Sequence, residues 1–324
     1  MLFNPAANLI GAEDAELGLR VIAGDVAVGQ VCCDPATFVE VTNLVVPHGG
    51  RTVEELVLDA RVRALLRVVW PGRPAQARLA WGGRVAAQAR RHHSVDDLVA
   101  AVVGDVIGVP PGVLREVLAE SPAAGRFCPD PVVRAGVPMA LLRTATAEVV
   151  RKAAGGPDTG APDTVLDELL FWRGLGHEPV SLDDVATLVT ALTAAAWDAT
   201  RVLLSRPADA DDPAPPGAGH EAIGWLRVAT QSVMLGGAPV PAGTRCLLLV
   251  DATEPEAHPA RPPLHTLRWL APAATDGAGA TFARLVADEV LAAGHHLRDE
   301  SPGSASRAFS PSAQPSSAWA LPAA

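Results

Sequence analysis

The residues of this chain that come nearest to a catalytic or metal-binding pattern are its histidines. The dipeptides His177-Glu178 and His220-Glu221 begin like the zinc-protease signature, but neither has a histidine three residues after the glutamate. The adjacent pairs His92-His93 and His295-His296 point to different sides of a helix, so neither pair grips one ion easily. We therefore expect surface histidines and predict no metal site.

Motifs for nucleophilic catalysis and for phosphate binding are also missing. No serine stands in the Gly-x-Ser-x-Gly pattern that exposes a nucleophile on a strand-to-helix turn. The glycine pairs at 236–237 and at 277 and 279 are too sparse to cradle a phosphate, and neither has dinucleotide-binding spacing. We interpret these glycines as structural turns.

The composition favours a globular protein whose main partner is neither nucleic acid nor a membrane. The chain has 324 residues, of which 49% are hydrophobic, and its net charge of -10 argues against nucleic acid. Its most apolar run, Leu98 to Val109, is too short to span a membrane and carries Asp105. The excess of Ala, Arg, Gly and Pro is typical of a GC-rich genome, such as that of an actinomycete.

The cysteines and the N-terminus both favour a cytoplasmic protein. Cys32, Cys33, Cys128 and Cys246 show neither CxxC spacing nor the density of a disulfide scaffold, so we expect reduced, mostly buried thiols. Residues 1–10 lack the basic region that precedes the apolar run of a signal peptide.

Capping and periodicity signals predict that most of the chain is helical. Thr52 with Glu55 forms a capping box that opens a helix running towards residue 70, and Ser94 with Asp97 gives a similar signal. A third helix begins at Ser181 and is apolar on nearly every side, which is typical of a central, buried helix.

Strand signals occur late in the chain. Residues 228–235 and 246–250 have strand patterns, with turns at 236–237 and 239–243. A last helix is predicted over about 281–291, and the Ser/Pro/Ala composition predicts a disordered tail over 301–324. We predict a mainly α fold with a small late β-sheet, in the α+β class, forming a single domain over residues 1–300.

Several of these segments, in order along the chain, resemble bacterial cytochromes P450. Residues 96–110 and 228–251 resemble two segments of that family, the second being its sheet segment. The helix that ends Ala195-Ala-Trp-Asp-Ala-Thr200 resembles its central oxygen-binding helix, and Gly279-Ala-Thr-Phe-Ala-Arg-Leu285 resembles the start of the helix after the haem-ligand loop. The resemblance covers residues 95–293 and implies a shortened cytochrome P450-like fold, with residues 1–94 poorly matched.

The residues that carry the chemistry of that family are missing from the matching positions. Haem-thiolate chemistry needs a cysteine ligand, but that position falls on Gly277, and no cysteine follows Cys246. The hydroxyl residue of the oxygen-binding helix falls on Ala199. The family's Glu-x-x-Arg pair would begin near Glu221, and its fourth position is Gly224. The resemblance thus implies a degenerate homologue, for which we expect no haem-thiolate oxygenase activity, no cofactor and no catalytic residue.

One subgroup of P450-like proteins functions without haem chemistry. These auxiliary proteins bind and activate a deoxysugar glycosyltransferase in antibiotic pathways, and they also lack the ligand cysteine. Residues 126–142 resemble this subgroup more than true oxygenases. We therefore expect a hetero-oligomer with a glycosyltransferase of a macrolide- or anthracycline-type pathway. Two alternatives stay open: a cofactor-independent cyclase or isomerase that uses the emptied haem cavity, with Asp198 inside it, and a scaffold that recruits P450s.

An arginine-rich stretch with two tryptophans is the candidate partner interface. Residues 61–93 contain eight arginines and no acid, although the chain is acidic overall. Since Arg and Trp are enriched among interface hot spots, the stretch predicts a docking surface. The alternatives are a relic of the haem-propionate region, and ordinary solvated helix faces with the tryptophans in the core. The predicted interface residues are Arg61, Arg63, Arg67, Trp70, Arg73, Arg78, Trp81 and Arg84.

Overall fold

The computed structural model describes residues 9–14, 19–23, 25–40, 50–117, 131–156, 162–173, 180–204, 223–250 and 278–294. Helices form most of this part of the chain. They are α1 (Asp25–Cys32), α2 (Val53–Leu58), α3 (Ala60–Val69), α4 (Pro74–Ala89), α5 (Val95–Ile107), α6 (111–117), α7 (Pro131–Gly155), α8 (Val165–Arg173), α9 (Leu182–Leu204) and α10 (Ala278–Ala292). The strands are β1 (Leu9–Asp14), β2 (Leu19–Ala23), β3 (Phe38–Glu40), β4 (Ile223–Ala229), β5 (Val233–Leu235), β6 (Ala238–Val240) and β7 (Arg245–Val250).

The core is a helical bundle arranged around α9. This helix packs most extensively against α10 and also contacts α5 and α7, while α4 packs against both α5 and α10. Nearly every side chain from Val185 to Trp197 is buried. Because neighbours surround α9, its apolar character on nearly all sides matches its central position, and that prediction is confirmed.

The capping box at the start of α2 forms as predicted. The Thr52 hydroxyl accepts the Glu55 N–H at 3.3 Å, and the Glu55 carboxylate accepts the Thr52 N–H at 2.7 Å. The helix does not continue unbroken to residue 70, however. Asp59 has an extended backbone that ends α2, and its side chain caps α3 by accepting the Arg61 N–H at 2.8 Å. A second capping residue thus divides the predicted helix.

The start of α9 combines a cap with a long-range ion pair. Ser181 accepts the Asp184 N–H at 3.0 Å, as the sequence predicted. The Asp184 carboxylate accepts the Arg51 N–H at 3.0 Å and both the Nε and Nη2 of Arg51, while Nη1 of Arg51 donates to Asp59 at 2.9 Å. Arg51 therefore ties the start of α3 to the start of α9. The similar signal at Ser94 marks the beginning of α5, but this serine makes no capping hydrogen bond.

Five strands form one sheet in the order β1-β2-β7-β4-β3, and β5 and β6 form a separate hairpin. The hairpin turn has Gly236 and Gly237 at φ values of 54° and 84°, which confirms the predicted glycine turn. The mainly α fold with a small sheet is also confirmed, but the prediction that the sheet is late is wrong. Strands β1, β2 and β3 come from residues 9–40, and β2 pairs in parallel with β7 from the far end of the chain. Pairing between strands so far apart in the sequence leaves no local sequence pattern from which it could be predicted.

An aromatic cluster joins the end of α3 to α4 and α10. Trp70 and Trp81 lie with their ring centroids 5.0 Å apart, and Phe282 lies 6.0 Å and 5.9 Å from them. Trp70 is 1% exposed and Trp81 6% exposed. These spacings are typical of packed aromatic side chains. Both tryptophans therefore belong to the core.

Two expectations concern the chain as a whole. Within the described ranges, no helix combines the length and apolar character that a membrane crossing needs. The predicted disordered tail, residues 301–324, lies outside the described residues.

Candidate functional site

The resemblance to cytochromes P450 assigns the haem-ligand position and the oxygen-binding position to the crossing of α9 and α10. Gly279, the second residue of α10, lies directly against the backbone of α9. A Cβ at position 279 would overlap the carbonyl oxygen of Ala195, and would lie 2.9 Å from the carbonyl carbon of that residue and 3.1 Å from the Cβ of Ala199. The close approach of the two helices therefore requires glycine at this position.

The residues at this crossing do not fit a haem-thiolate centre. A haem would have to lie between position 277, which the structure does not describe, and Ala199. Gly279, two residues later, lies directly against the helix of Ala199. Glycine and alanine side chains also supply neither a thiolate for iron nor a hydroxyl for proton delivery.

The cysteines in the described part of the chain are associated with the sheet. Cys32 ends α1, which packs against β2 and β7, and Cys246 lies in β7. Both are buried and free, and burial raises the pKa of each thiol to about 11, so both are protonated at neutral pH. Cys33 is exposed and also free. For these three residues the prediction of reduced, mostly buried thiols is confirmed.

Thr200 does not replace the hydroxyl that is missing at Ala199. The two residues are neighbours on a helix and point about 100° apart. Thr200 is fully buried, and its Oγ1 has no hydrogen-bond partner among the residues that the structure describes. Thr193, one heptad earlier and so on the same side of α9, is buried in the same way.

Asp198 is the charged residue that the sequence analysis assigned to a cavity. Its side chain is exposed, yet burial of its carboxyl group on one side raises the pKa, an effect that Arg201 opposes. Arg201 is the one described charged group that shifts this pKa, and it forms an ion pair with Asp96 at 3.1 Å. The described residues thus bring no convergent set of titratable groups to Asp198.

The positions of the family's Glu-x-x-Arg pair correspond to a strand here. Glu221 lies outside the described residues, and Gly224 and Arg227 both lie in β4. Arg227 is buried and pairs with Glu40 of β3 at 3.6 Å. Arg143 of α7 is buried as well, and burial lowers its pKa while Glu40 opposes the change. Sequence reasoning missed this charged cluster, whose one signal was an arginine within an apolar strand.

Acids outside the arginine-rich stretch pair with Arg61 and Arg78, two arginines of the predicted interface. Arg78 lies 2.7 Å from Asp288 and 3.5 Å from Glu289, both on α10. Arg61 lies 3.6 Å from Asp59, just before the acid-free stretch. The local excess of positive charge is therefore smaller in the folded protein than in the sequence.

Arg84 connects α4 to α5 and to the residues before α8. It forms an ion pair with Asp163 at 3.1 Å, donates to the carbonyl oxygen of that residue, and donates to the carbonyl oxygen of Asp105 at 3.2 Å. Its side chain is half-buried between α4, α5 and the residues before α8. We therefore assign Arg84 a structural role.

The tryptophan part of the predicted interface is wrong. Trp70 and Trp81 pack against Phe282, so a partner could reach neither ring without opening the core. Arg67 and Arg73 are exposed and have no acidic partner within the described ranges. For these two arginines the docking surface stays a prediction.

Comparison with known proteins adds structural relatives. No protein-family model matches the sequence, and no curated protein sequence is significantly similar to it. The open form of P450 EryK from S. erythraea is 19% identical, with 87% of this chain and 83% of that chain covered and a TM-score of 0.49. A structure from work on unusual cytochrome P450-like monooxygenases of microbial secondary metabolism is 15% identical, with 88% and 87% covered and a TM-score of 0.48.

A third similar structure is P450 OxyD, which is involved in the biosynthesis of vancomycin-type antibiotics. It is 16% identical, with 84% of this chain and 80% of that chain covered and a TM-score of 0.43. These cytochromes P450 are structures that this chain is similar to. Its function has to be argued from its own residues.

Proposed function

We propose that this protein is a haem-free, P450-like auxiliary protein that binds and activates a glycosyltransferase in polyketide antibiotic biosynthesis. The observation that supports the absence of haem chemistry is the α9–α10 crossing. Gly279 there touches Ala195 and Ala199, and the sequence has glycine at the position of the thiolate ligand. The resemblance of residues 126–142 to auxiliary proteins supports the choice of partner.

An auxiliary protein of this kind acts through differential binding. It activates the glycosyltransferase if it binds the active conformation of that enzyme more tightly than the inactive one. A tenfold shift of that equilibrium needs about 1.4 kcal/mol of difference in binding free energy. No catalytic residue on this chain is required, which agrees with a crossing made of alanine and glycine.

The surface that we propose for the partner includes Arg67 and Arg73. Both are exposed, and the surrounding acids that neutralise Arg61 and Arg78 do not reach them. The partner surface should therefore carry carboxylates, which would orient the two proteins and speed their association.

A cofactor-independent enzyme is the second candidate, and Asp198 is the observation that favours it. A carboxyl group whose pKa is raised by burial is a candidate acid or base. Asp198→Asn would abolish turnover by such an enzyme and would leave the activation of a glycosyltransferase unchanged.

A scaffold that recruits P450s remains the third candidate, and it would bind a P450 without changing sugar transfer.

The test is co-expression of this chain with any glycosyltransferase encoded beside it, followed by co-purification and a sugar-transfer assay with and without the chain. We expect a stable complex and transfer that depends on this protein. A monomeric chain that leaves transfer unchanged would overturn the proposal.

A charge-reversal variant adds specificity to this test. Arg67→Glu with Arg73→Glu should weaken the complex, because two carboxylates would then repel the carboxylates of the partner instead of attracting them. Arg90→Glu with Arg91→Glu, at the other end of α4, is the matched control, and it should leave the complex intact. Equal weakening by both variants would mean that the effect comes from net charge rather than from this surface.

A further inference from the structure

A cleft of about 510 Å³ lies on the bundle surface, beside the C-terminal half of α5 and apart from the α9–α10 crossing. Gln88 near the end of α4 and His92, three residues after that helix, form one wall, α6 forms another, and Thr164 closes one side. The volume falls in the range of small-molecule sites, about 300–1,000 Å³. The proposed activator function makes no use of this cleft.

The floor of the cleft is apolar and tightly fixed. It consists of Ala101 and Gly104 of α5 and the turn Val109-Pro110-Pro111. A Cβ at Gly104 would lie 2.7 Å from the Val109 carbonyl oxygen and 2.8 Å from the Pro111 ring, so the turn packs directly onto the helix. Two consecutive prolines also restrict the backbone of this turn. The close packing of this turn on α5 therefore gives the cleft an apolar lining that is formed before any ligand binds.

Polar groups from three helices converge above this floor and are held by their neighbours. The Gln88 Nε2 donates to the Asp105 Oδ2 at 3.3 Å, and Arg84 fixes the backbone of Asp105 from the other side. The Arg115 Nε lies 2.9 Å from the Asp97 carboxylate, which orients the guanidinium group. The imidazole of half-buried His92 lies on the same wall as Gln88.

Much of the hydrogen-bonding capacity of these groups is unused. Among the described residues, the Asp105 Oδ1 and the Gln88 Oε1 accept no hydrogen bond, and both Nη atoms of Arg115 lack an acceptor. The ring of His92 has no partner there either, and a neutral imidazole supplies one donor and one acceptor. The cleft therefore presents donors and acceptors in similar number above an apolar floor.

We propose that this cleft binds a neutral polyhydroxylated small molecule, the chemistry of a sugar ring. Each sugar hydroxyl both donates and accepts, which matches a cleft whose lining includes carboxylate and amide oxygens together with a guanidinium group. The C–H face of the ring would pack on the proline turn. An anion is disfavoured by Asp105, and the described residues contain no group of three side chains that could hold a metal ion.

This inference stands independently of the proposed function, because it concerns the isolated chain. The test is saturation-transfer NMR of the full-length purified protein with D-glucose and L-rhamnose as probes, each titrated to give an affinity. We expect saturation transfer to at least one sugar. Gln88→Met and Arg115→Met each remove polar atoms while keeping the length of the side chain, and each should weaken binding about tenfold.

Arg151→Met is the matched control, since Arg151 is an exposed arginine that pairs with Glu148 on α7, outside the cleft. It should leave sugar binding unchanged, and thermal unfolding should show that all three variants remain folded. The proposal is overturned if neither sugar shows saturation transfer, or if the two cleft variants bind as tightly as the control. It is also overturned if inorganic phosphate binds with a dependence on Arg115 while the sugars do not.

Discussion

The α9–α10 crossing and the arginine-rich α3–α4 surface are opposite kinds of region in one bundle. At the crossing, helices meet backbone to backbone over glycine and alanine, so even one methyl group would collide. On the α3–α4 surface, long charged side chains reach solvent or distant acids, and Arg67 and Arg73 remain exposed. The comparison teaches that the α9–α10 crossing is specialised for close packing, while the α3–α4 surface keeps charged side chains available for polar contacts.

The largest expected effect is at Phe282, where the two regions meet. Phe282→Ala would leave a cavity beside Trp70 and Trp81, and should lower the free energy of unfolding by about 3–5 kcal/mol, as measured by urea denaturation. Phe171→Ala is the control. Because Phe171 is 54% exposed, its truncation should lower the free energy of unfolding much less. Equal losses at both positions would contradict the description of this cluster as core.

A smaller effect is expected from adding one methyl group at the crossing. Gly279→Ala should lower the free energy of unfolding by about 1–3 kcal/mol, because the new Cβ collides with the Ala195 carbonyl group. Gly83→Ala, in α4, adds the same methyl group where nothing lies within 4 Å. That variant should stabilise the protein by about 0.5–1 kcal/mol through helix propensity. If both substitutions changed the free energy of unfolding in the same direction, α9 and α10 would not be in direct contact at Gly279.

The Arg51 bridge is expected to contribute less, and in a pH-dependent way. Burial alone would raise the pKa of Asp59 and of Asp184. The hydrogen bonds and charge of Arg51, together with Arg61 at Asp59 and Ser181 at Asp184, outweigh burial and hold both pKa values below the ordinary range. A lowered carboxyl pKa gives stability that is present above the ordinary pKa and is lost as the pH falls through the lowered value. The stabilisation should therefore be complete at neutral pH and should decline in the acid range.

Arg51→Met measures this bridge. It should cost about 1–2 kcal/mol at pH 7, less than a fully buried pair would, because the Arg51 side chain is 37% exposed. Urea denaturation at several pH values should show the difference from the parent protein shrinking as the carboxylates become protonated. A difference that does not change with pH would mean that packing of the arginine, not its charge, provides the stability.

The smallest effect is expected on the α3–α4 surface itself. Arg67→Ala and Arg73→Ala should each change the free energy of unfolding by less than about 0.5 kcal/mol, since both residues are exposed and unpaired with acids among the described residues. Thermal unfolding would check this. A large loss at either position would show that the residue supports the fold and would remove it from the proposed partner surface.

Features with local causes could be predicted from the sequence. The capping box of Thr52 and Glu55, the cap at Ser181 and the glycine turn at 236–237 each depend on residues a few positions apart. The central position of α9 followed from its apolar periodicity. The resemblance also assigned the haem-ligand and oxygen-binding positions to the α9–α10 crossing. The glycine and alanine residues at those positions supply no thiolate ligand.

Features that depend on distant residues could not be predicted. The pairing of β2 with β7 joins opposite ends of the chain, so the sheet was expected only late in the sequence. Arg78 finds its acids on α10, which made the arginine-rich stretch look more positive than it is when folded. Trp70 and Trp81 looked like interface residues because their contact with Phe282 spans about two hundred positions.

The most direct test of the account is an absorbance spectrum of the full-length chain, purified after expression with added haem precursor. The account predicts a colourless protein, with no haem band and no change when carbon monoxide is added under reducing conditions, because no cysteine stands at the ligand position and α9 touches α10. A stoichiometric haem band with a thiolate-type carbon monoxide spectrum would contradict it.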